Sequence, residues 1–169
     1  MKIILGTMKS GKSTILINEM INAFNSGNKY VFIRQSKDKR DFIARDINIE
    51  IKKYNFKSEK YLFNDLKNHI IFIDEIQFLN KNILDRIIEL SINNKIIMAG
   101  LLSYTDTNKI WESVAYILPY CREIQKLNAY CEKCGKHNAT IQHFQGGNKI
   151  SDNYTVYCLE CYNKIIKLN

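Results

Sequence analysis

The sequence predicts an α/β fold in which helices cover a central parallel β-sheet, with a small metal-binding appendage at the C-terminal end. Two observations predict the sheet. Short apolar runs alternate with segments of helical periodicity, and the first run leads directly into a glycine-rich loop. The appendage is predicted because four of the five cysteines form two C-x-x-C pairs. A length of 169 residues suits one ordinary domain, or one domain with a small appendage.

The first element is a strand over residues 2–5, followed by a loop over residues 6–13 and a helix that begins at about Ser13. The loop reads G-T-M-K-S-G-K-S, which is the G-x-x-x-x-G-K-S spacing of a phosphate-binding loop. Helical periodicity follows at once in the apolar residues Ile15, Leu16, Met20, Ile21 and Phe24. Strand, loop and helix therefore come in the order that such a loop requires.

The residue types of this loop suit the binding of a nucleoside triphosphate. Gly6 and Gly11 allow backbone angles and close approaches that a Cβ atom would forbid, so successive amides can turn towards phosphate oxygens. Lys12 would supply a positive charge to the β- and γ-phosphates, and the Ser13 hydroxyl would bind Mg²⁺. The alternative is a Gly/Lys/Ser turn that matches the pattern by chance.

The middle of the chain carries a weaker signal. A turn cluster at residues 26–28 precedes a second buried strand at residues 29–34. Residues 35–60 are polar and charged, with a short helix as one interpretation of residues 47–54, and residues 61–66 suit a short strand or a turn. This region therefore receives no firm assignment.

The second strong signal is an apolar strand at residues 70–73 that ends in an acidic pair, Asp74 and Glu75. An amphipathic helix over residues 83–90 and a buried strand over residues 95–100 follow. A long polar loop is then expected over residues 101–111, before a helix that Pro119 ends. The acidic pair is expected at the carboxyl end of its strand, where the phosphate loop also lies.

The two acidic residues are expected to have different roles, because neighbouring residues of a strand face opposite sides of a sheet. Asp74 would hold the Mg²⁺ shell, and Glu75 would face the substrate as the general base of a phosphoryl transfer. In a hydrolase or a motor ATPase, the same glutamate would instead polarise water. The spacing is compatible with both interpretations.

The cysteine pairs Cys131/Cys134 and Cys158/Cys161 have the spacing of a tetrahedral Cys₄ zinc site. Four thiolates leave no open position on the metal, so we expect a structural zinc ion that supplies folding energy to a small module. The alternative is a group of four buried free thiols. Cys121 stands alone and is expected to be a small buried apolar residue.

Composition excludes some classes of protein and leaves others open. A hydrophobic fraction of 46% with few Gly and Pro indicates a globular chain, and no apolar run is long enough to span a bilayer. Without a secretory signal in the sequence, we expect a cytoplasmic protein with no membrane partner. The net charge of +8 is spread along the chain, which favours solvated surfaces over nucleic-acid binding.

Taken together, these motifs resemble those of the type II thymidine kinases. The order G-T-M-K-S-G-K-S, D-E-I-Q-F, A-G-L before a long loop, and two C-x-x-C pairs extends the resemblance from residue 3 to residue 162. It implies a RecA-like α/β kinase domain, here residues 1–127, and a small zinc domain with a lasso loop, here residues 128–169. It also implies a homotetramer that transfers the γ-phosphate of ATP to the 5′-hydroxyl of thymidine, with Mg²⁺ and a structural Zn²⁺.

The resemblance also implies roles for individual residues. Glu75 would be the catalytic base, and Asp74 would serve the metal. The phosphate loop, Gln77 and Arg40 would lie on the ATP side, with the loop contributing Gly6, Thr7, Met8, Lys9, Ser10, Gly11, Lys12, Ser13 and Thr14. The expected thymidine-binding residues are Met8, Phe78, Leu101, Tyr104, Thr105, Gly146 and Tyr154, and the expected zinc ligands are Cys131, Cys134, Cys158 and Cys161.

Three positions depart from the pattern of the resembled family. Thr7 stands where proline is usual, and the loop after residue 100 has no phenylalanine, so Tyr104 is expected to supply the aromatic contact while strict counting gives Thr105. The spacing from Gly146 to Tyr154 is longer than usual, which alters the lasso. Two alternatives stay open: a nucleic-acid-dependent ATPase or binding module with a zinc ribbon, and a nucleotide-binding protein without catalysis.

Overall fold

A computed structural model describes residues 1–35, 55–105, 109–144 and 154–166. Within these ranges, the main unit is a six-stranded sheet in the order β3-β2-β4-β5-β1-β6, and every neighbouring pair is parallel. The elements are β1 Lys2–Gly6, α1 Lys12–Asn25, β2 Tyr30–Arg34, β3 Phe56–Ser58, β4 Ile70–Ile73, α2 Lys81–Leu90, β5 Lys95–Leu101, α3 Glu112–Ile117, β6 Glu123–Leu127, β7 Ile141–Phe144, β8 Tyr154–Tyr157 and α4 Leu159–Ile166. The predicted α/β class with a parallel sheet is confirmed.

Helices cover both faces of the sheet, which explains why its central strands are apolar on both sides. On one face, Ile4 of β1 packs in the same cluster as Leu16 and Met20 of α1. On the other face, Ile3 packs in the same cluster as residues of α2 and α3, such as Ile87 and Val114. Two separate apolar layers therefore hold the sheet in place.

The strand order brings three loops to one edge of the sheet. Strands β4, β5 and β1 are neighbours and run in the same direction, so their carboxyl ends lie side by side. The loop after Gly6, the turn after Ile73 and the loop after Leu101 all leave from this edge. In an open parallel sheet, this is the edge where ligands bind.

A second, smaller unit follows β6. Strands β7 and β8 form an antiparallel pair with Ile141 opposite Tyr157, and α4 follows β8. The unit has its own small buried cluster of Ala129, Cys131, Ala139, Val156, Cys158 and Cys161. With three cysteines among six core residues, its apolar core is too small to account for its stability alone.

The sequence did not predict the two edge strands, β3 and β6. β3 has only three residues, and β6 carries charged or polar side chains at Glu123, Gln125 and Lys126, so neither has the apolar pattern of a buried strand. The short strand or turn predicted at residues 61–66 is in part the end of a 3₁₀ helix, Glu59–Phe63. The helix proposed for residues 47–54 lies outside the described residues.

The remaining predicted elements are confirmed with small changes of boundary. The first helix begins at Lys12, and the helix before Pro119 spans Glu112–Ile117 and continues as a 3₁₀ turn over Leu118–Tyr120. Among the described residues, no helix combines the length and the apolar character needed to cross a membrane.

Candidate active site and metal centre

The phosphate loop over residues 7–11 is shaped by the lack of side chains at its two ends. A Cβ atom on Gly6 would lie 2.5 Å from the Ser10 Oγ and 2.8 Å from the Leu127 carbonyl oxygen, so only glycine fits there. Gly11 has a φ angle of +81°, in the left-handed region that glycine adopts without strain. The chain can therefore turn sharply from β1 into α1.

Lys12 lies inside this loop, with 8% of its surface exposed. Its ammonium group donates a hydrogen bond to the Thr7 carbonyl oxygen at 2.6 Å, and the Ser10 hydroxyl donates to the same oxygen at 2.9 Å. Burial lowers the pKa of Lys12, while the charges of Glu75 and Asp74 oppose this shift. A buried ammonium group in a phosphate loop is suited to bind anionic oxygens.

Asp74 follows the last residue of β4 and is also buried. Its Oδ1 atom accepts a hydrogen bond from the Glu75 amide at 2.9 Å, and its carboxylate is hydrogen-bonded to the Ser13 hydroxyl. Burial and the charge of Glu75 raise the pKa of Asp74 to about 7, against the opposing effects of Ser13 and Lys12. Asp74 and Ser13 together present oxygen donors of the kind that Mg²⁺ prefers.

Glu75 is held in a backbone conformation that is rare for any residue other than glycine. Its φ angle is +55°, in the left-handed region, which costs of order 1–3 kcal/mol. Gln77 donates a hydrogen bond from Nε2 to the Glu75 Oε2 at 2.5 Å, and Gln35 donates from Nε2 to the Glu75 carbonyl oxygen at 3.0 Å. Gln35 therefore supports the strained backbone of Glu75 and Gln77 supports its half-buried carboxylate, at the edge of the sheet where the phosphate loop begins.

Gln77 in turn depends on a close approach to β5. Its Oε1 accepts a hydrogen bond from the Leu101 amide at 3.0 Å, and its carbonyl oxygen accepts one from the Ser113 hydroxyl at 2.9 Å. A Cβ atom on Gly100 would lie 2.6 Å from both the Gln77 Oε1 and the Ile76 Cγ2, so Gly100 leaves the space that Gln77 occupies. The structure thus places Gln77 behind Glu75, in contact with its carboxylate.

An aromatic group lies beside the Glu75 turn. Tyr104 stacks on Trp111 with ring centroids 3.7 Å apart, and Phe78 meets the edge of Trp111 at 5.6 Å. Phe78 is 57% exposed, so this group presents an open aromatic surface. Trp111 was missed at the sequence level, although a tryptophan at the end of a polar loop, next to a helix start, was an available signal.

The four predicted zinc ligands come together in the C-terminal unit. The sulfur atoms of Cys131, Cys134, Cys158 and Cys161 all lie within 4.8 Å of one another, and those of Cys134 and Cys158 are 3.8 Å apart. Two sulfurs bound to one tetrahedral zinc at about 2.3 Å are separated by about 3.8 Å. The donor set and its spacing therefore fit a closed zinc site.

The thiols of this cluster differ in their pKa values. Burial alone would raise the pKa of Cys131, but backbone hydrogen bonds involving Cys158, Cys134 and Lys133 lower it to about 6. Burial and hydrogen bonds with the other three cysteines raise the pKa of Cys161 to about 12. One thiolate forms readily while another is strongly disfavoured, and a bound divalent cation would allow all four to ionise.

Comparison with known proteins identifies the family. The family model described as thymidine kinase matches residues 1–162, nearly the whole chain. The chain belongs to the thymidine kinase family.

Individual members of the thymidine kinase family match this chain over nearly their whole length. A thymidine kinase of Amsacta moorei entomopoxvirus is 33% identical over 96% of this chain and 97% of that protein. One from Choristoneura fumiferana entomopoxvirus is 32% identical over 99% and 98%, and one from the bacterium Pseudothermotoga lettingae is 26% identical over 99% and 96%. The resemblance inferred from the sequence motifs is confirmed.

The other residues predicted from the thymidine kinase pattern are distributed over three places. Leu101 ends β5 and is buried, Thr105 lies in the turn after Tyr104, and Thr14 belongs to the first turn of α1. Tyr154 begins β8, and its carbonyl oxygen accepts a hydrogen bond from Lys9 at 3.3 Å. Arg40 and Gly146 lie outside the described residues, so their roles stay predictions.

Proposed function

We propose that this chain transfers the γ-phosphate of ATP to the 5′-hydroxyl of thymidine. The observation that carries the proposal is the position of Glu75, whose carboxylate is held by Gln77 at the sheet edge where the phosphate loop begins. A phosphate-binding loop needs no such carboxylate to bind nucleotide, whereas a phosphotransferase needs a group that accepts the proton of the attacking hydroxyl. Membership of the thymidine kinase family supports thymidine as the acceptor.

The residues of the site divide into two groups under this proposal. The loop amides and Lys12 bind the phosphates of ATP, and Asp74 and Ser13 hold Mg²⁺, which neutralises charge on the phosphate oxygens when bound. On the acceptor side, Glu75 takes the proton of the thymidine hydroxyl. The exposed aromatic surface beside it gives a base a place to stack.

The proposed activity is tested by supplying the purified chain with ATP, Mg²⁺ and, in turn, thymidine, deoxyuridine, deoxycytidine and deoxyguanosine. Thymidine phosphorylation is the expected result, and the Glu75→Gln variant should lower turnover by about 10²–10⁴-fold while leaving the affinity for an ATP analogue unchanged. The matched control is Glu89→Gln, because Glu89 lies on the exposed side of α2. Full turnover by Glu75→Gln would exclude Glu75 as the base.

We also propose that Cys131, Cys134, Cys158 and Cys161 bind one structural Zn²⁺. Metal analysis of the purified chain should find about one zinc per chain, and Cys134→Ser should lower both the zinc content and the thermal stability. Cys121→Ser is the control, since Cys121 lies apart from the cluster. A zinc-free protein of undiminished stability would contradict this assignment.

The assembly and the location of the protein are part of the same proposal. The chain is proposed to act as a cytoplasmic homotetramer, on the basis of the motifs it shares with the type II thymidine kinases. Light scattering of the purified protein measures the assembly directly, and a monomer would contradict the proposed tetramer.

A further inference from the structure

Gln142 on β7 is a buried polar residue whose side chain reaches two loops of the sheet unit. Only 3% of its surface is exposed. Its Oε1 accepts a hydrogen bond from the Met8 amide in the phosphate loop at 3.2 Å, and its Nε2 donates to the Ser103 carbonyl oxygen at 3.0 Å. A single amide therefore joins the phosphate loop to the loop that follows β5.

The Ser103 carbonyl oxygen is shared with the aromatic group. Trp111 donates a hydrogen bond from its indole Nε1 to this oxygen at 3.0 Å, and the Trp111 ring stacks on Tyr104. A displacement of Ser103 therefore changes the position of the ring against which Phe78 packs. The path from the phosphate loop to the aromatic group runs Met8, Gln142, Ser103 and Trp111.

A second link ties the phosphate loop to the C-terminal unit without reaching the aromatic group. The Lys9 ammonium group binds the Glu132 Oε1 at 2.6 Å, and the Glu132 Oε2 accepts the Val156 amide at 2.7 Å. Both charged side chains are more than a third exposed, so this ion pair contributes little free energy. The buried amide of Gln142 is the stronger constraint, because its loss would leave buried polar atoms unpaired.

We propose that Gln142 is a positioning residue that holds the phosphate loop and the aromatic group in a fixed relation, so that ATP bound at one shifts the other. The kinetic consequence of this positioning rests on the proposed kinase function, in which ATP and thymidine must both be aligned at Glu75. Gln142 itself touches neither proposed reacting group: its two hydrogen bonds are to backbone atoms of the two loops.

Trp111 is the single tryptophan of the chain, so the intrinsic fluorescence of the protein reports on this coupling. Intrinsic fluorescence is recorded while the full chain is titrated with the Mg²⁺ complex of a non-hydrolysable ATP analogue, and with Mg²⁺ and inorganic tripolyphosphate as a probe that has no base. In the unaltered chain, both probes should change the Trp111 emission as they saturate. Calorimetry measures binding independently of the fluorescence.

The deciding variant is Gln142→Met, which keeps the length of the side chain but removes both hydrogen bonds. The analogue should still bind, about 2- to 10-fold more weakly, and the Trp111 response should be lost. KM for both ATP and thymidine should rise by a similar factor, while kcat changes less because Glu75 has its own support in Gln77. The Gln125→Met variant on β6 is the matched control and should keep the response.

A second variant separates positioning from a loss of folding. Gln142→Asn keeps the amide donor and acceptor but is one methylene shorter, so it cannot reach both loops at once; it should fold like the unaltered chain and still lose the Trp111 response. The proposal is overturned if either variant responds like the unaltered chain, or if the unaltered chain binds the analogue with no change in emission. Absence of thymidine turnover with an intact response would instead overturn the kinase proposal alone.

Discussion

The phosphate loop over residues 7–11 and the acidic turn over residues 74–78 leave the same edge of the sheet, one on each side of β5, but they are held in opposite ways. Missing side chains shape the phosphate loop, since Gly6 leaves room for Ser10 and Gly11 adopts a positive φ angle. The acidic turn puts a glutamate at a positive φ angle and keeps it there with hydrogen bonds from Gln35 and Gln77. The glycines are what allow the phosphate loop to form, and the glutamine partners are what hold the acidic turn.

This difference predicts opposite sensitivities to mutation. Adding a methyl group should damage the phosphate loop, and removing an amide group should damage the acidic turn. Both kinds of support combine at one point, because Gly100 on β5 provides the space that the Gln77 amide needs. The acidic turn therefore depends on both a glycine and a side chain, and the phosphate loop mainly on glycine.

The largest expected effect comes from adding a Cβ atom at the two tight glycines. In Gly100→Ala, the new atom collides with Gln77 and Ile76, so Glu75 loses its support and kcat should fall by about 10²-fold or more. In Gly6→Ala, the collision with the Leu127 carbonyl oxygen distorts the phosphate loop, so KM for ATP should rise more than kcat falls. Steady-state kinetics of both variants measure the contrast.

The control for these two variants is Gly27→Ala. Gly27 has a φ angle of +67° and open space around its Cβ position, so the substitution strains the backbone without a collision. It should lower stability by about 1 kcal/mol and leave kcat and KM unchanged. Equal kinetic losses in all three variants would mean that general destabilisation, and not the local collision, sets the activity.

A smaller effect is expected from Gln77→Met, which removes the hydrogen bonds to the Glu75 carboxylate and from the Leu101 amide and leaves the volume nearly unchanged. A hydrogen bond to a charged group is worth about 1.5–3 kcal/mol, so kcat should fall about 10- to 100-fold with little change in KM for ATP. Ser113→Ala removes only the bond to the Gln77 carbonyl oxygen and should lose less activity. A larger loss in Ser113→Ala than in Gln77→Met would show that the backbone position of the turn matters more than the side-chain amide of Gln77.

The same contrast explains how much of the site could be predicted from the sequence. The phosphate loop is a local pattern: Gly6, Gly11, Lys12 and Ser13 carry its geometry within eight positions, so the end of its strand and the start of its helix were predicted to within one residue. The four cysteines were predicted equally well, because metal-ligand spacing is a local signal.

The acidic turn could be predicted only in part, because its support comes from distant segments. Asp74 and Glu75 stand out in the sequence, but Gln35 and Gly100 lie 40 and 25 residues from Glu75, and although Gly100 belongs to the A-G-L motif, neither was predicted to support Glu75. Gln142 is more distant still and was not predicted. The edge strands β3 and β6 were missed because pairing with one neighbour requires no apolar run.

The smallest expected effect is a pH dependence of stability that comes from the buried carboxyl group of Asp74 in the acidic turn. Asp74 has Lys12 as a charged neighbour, but burial still raises its pKa to about 7, compared with about 3.9 in an unfolded chain. Unfolding therefore releases a proton from Asp74 between about pH 4 and pH 7. In this window, ionisation favours the unfolded state, so the contribution of Asp74 to stability falls as the pH rises.

Asp74→Asn removes this titration. Relative to the unaltered chain, the free energy of unfolding of the variant should increase as the pH rises from 5 to 7, by up to about 1.4 kcal/mol per pH unit. Urea unfolding of both proteins at several pH values, without Mg²⁺ and nucleotide, measures the difference; a difference independent of pH would contradict the shifted pKa. Adding Mg²⁺ and the ATP analogue should flatten the dependence for the unaltered chain, because a bound cation favours the ionised carboxylate. Ionised Asp74 would then lower the free energy of unfolding without ligand, and this loss would be removed when Mg²⁺ and the nucleotide bind to the two loops.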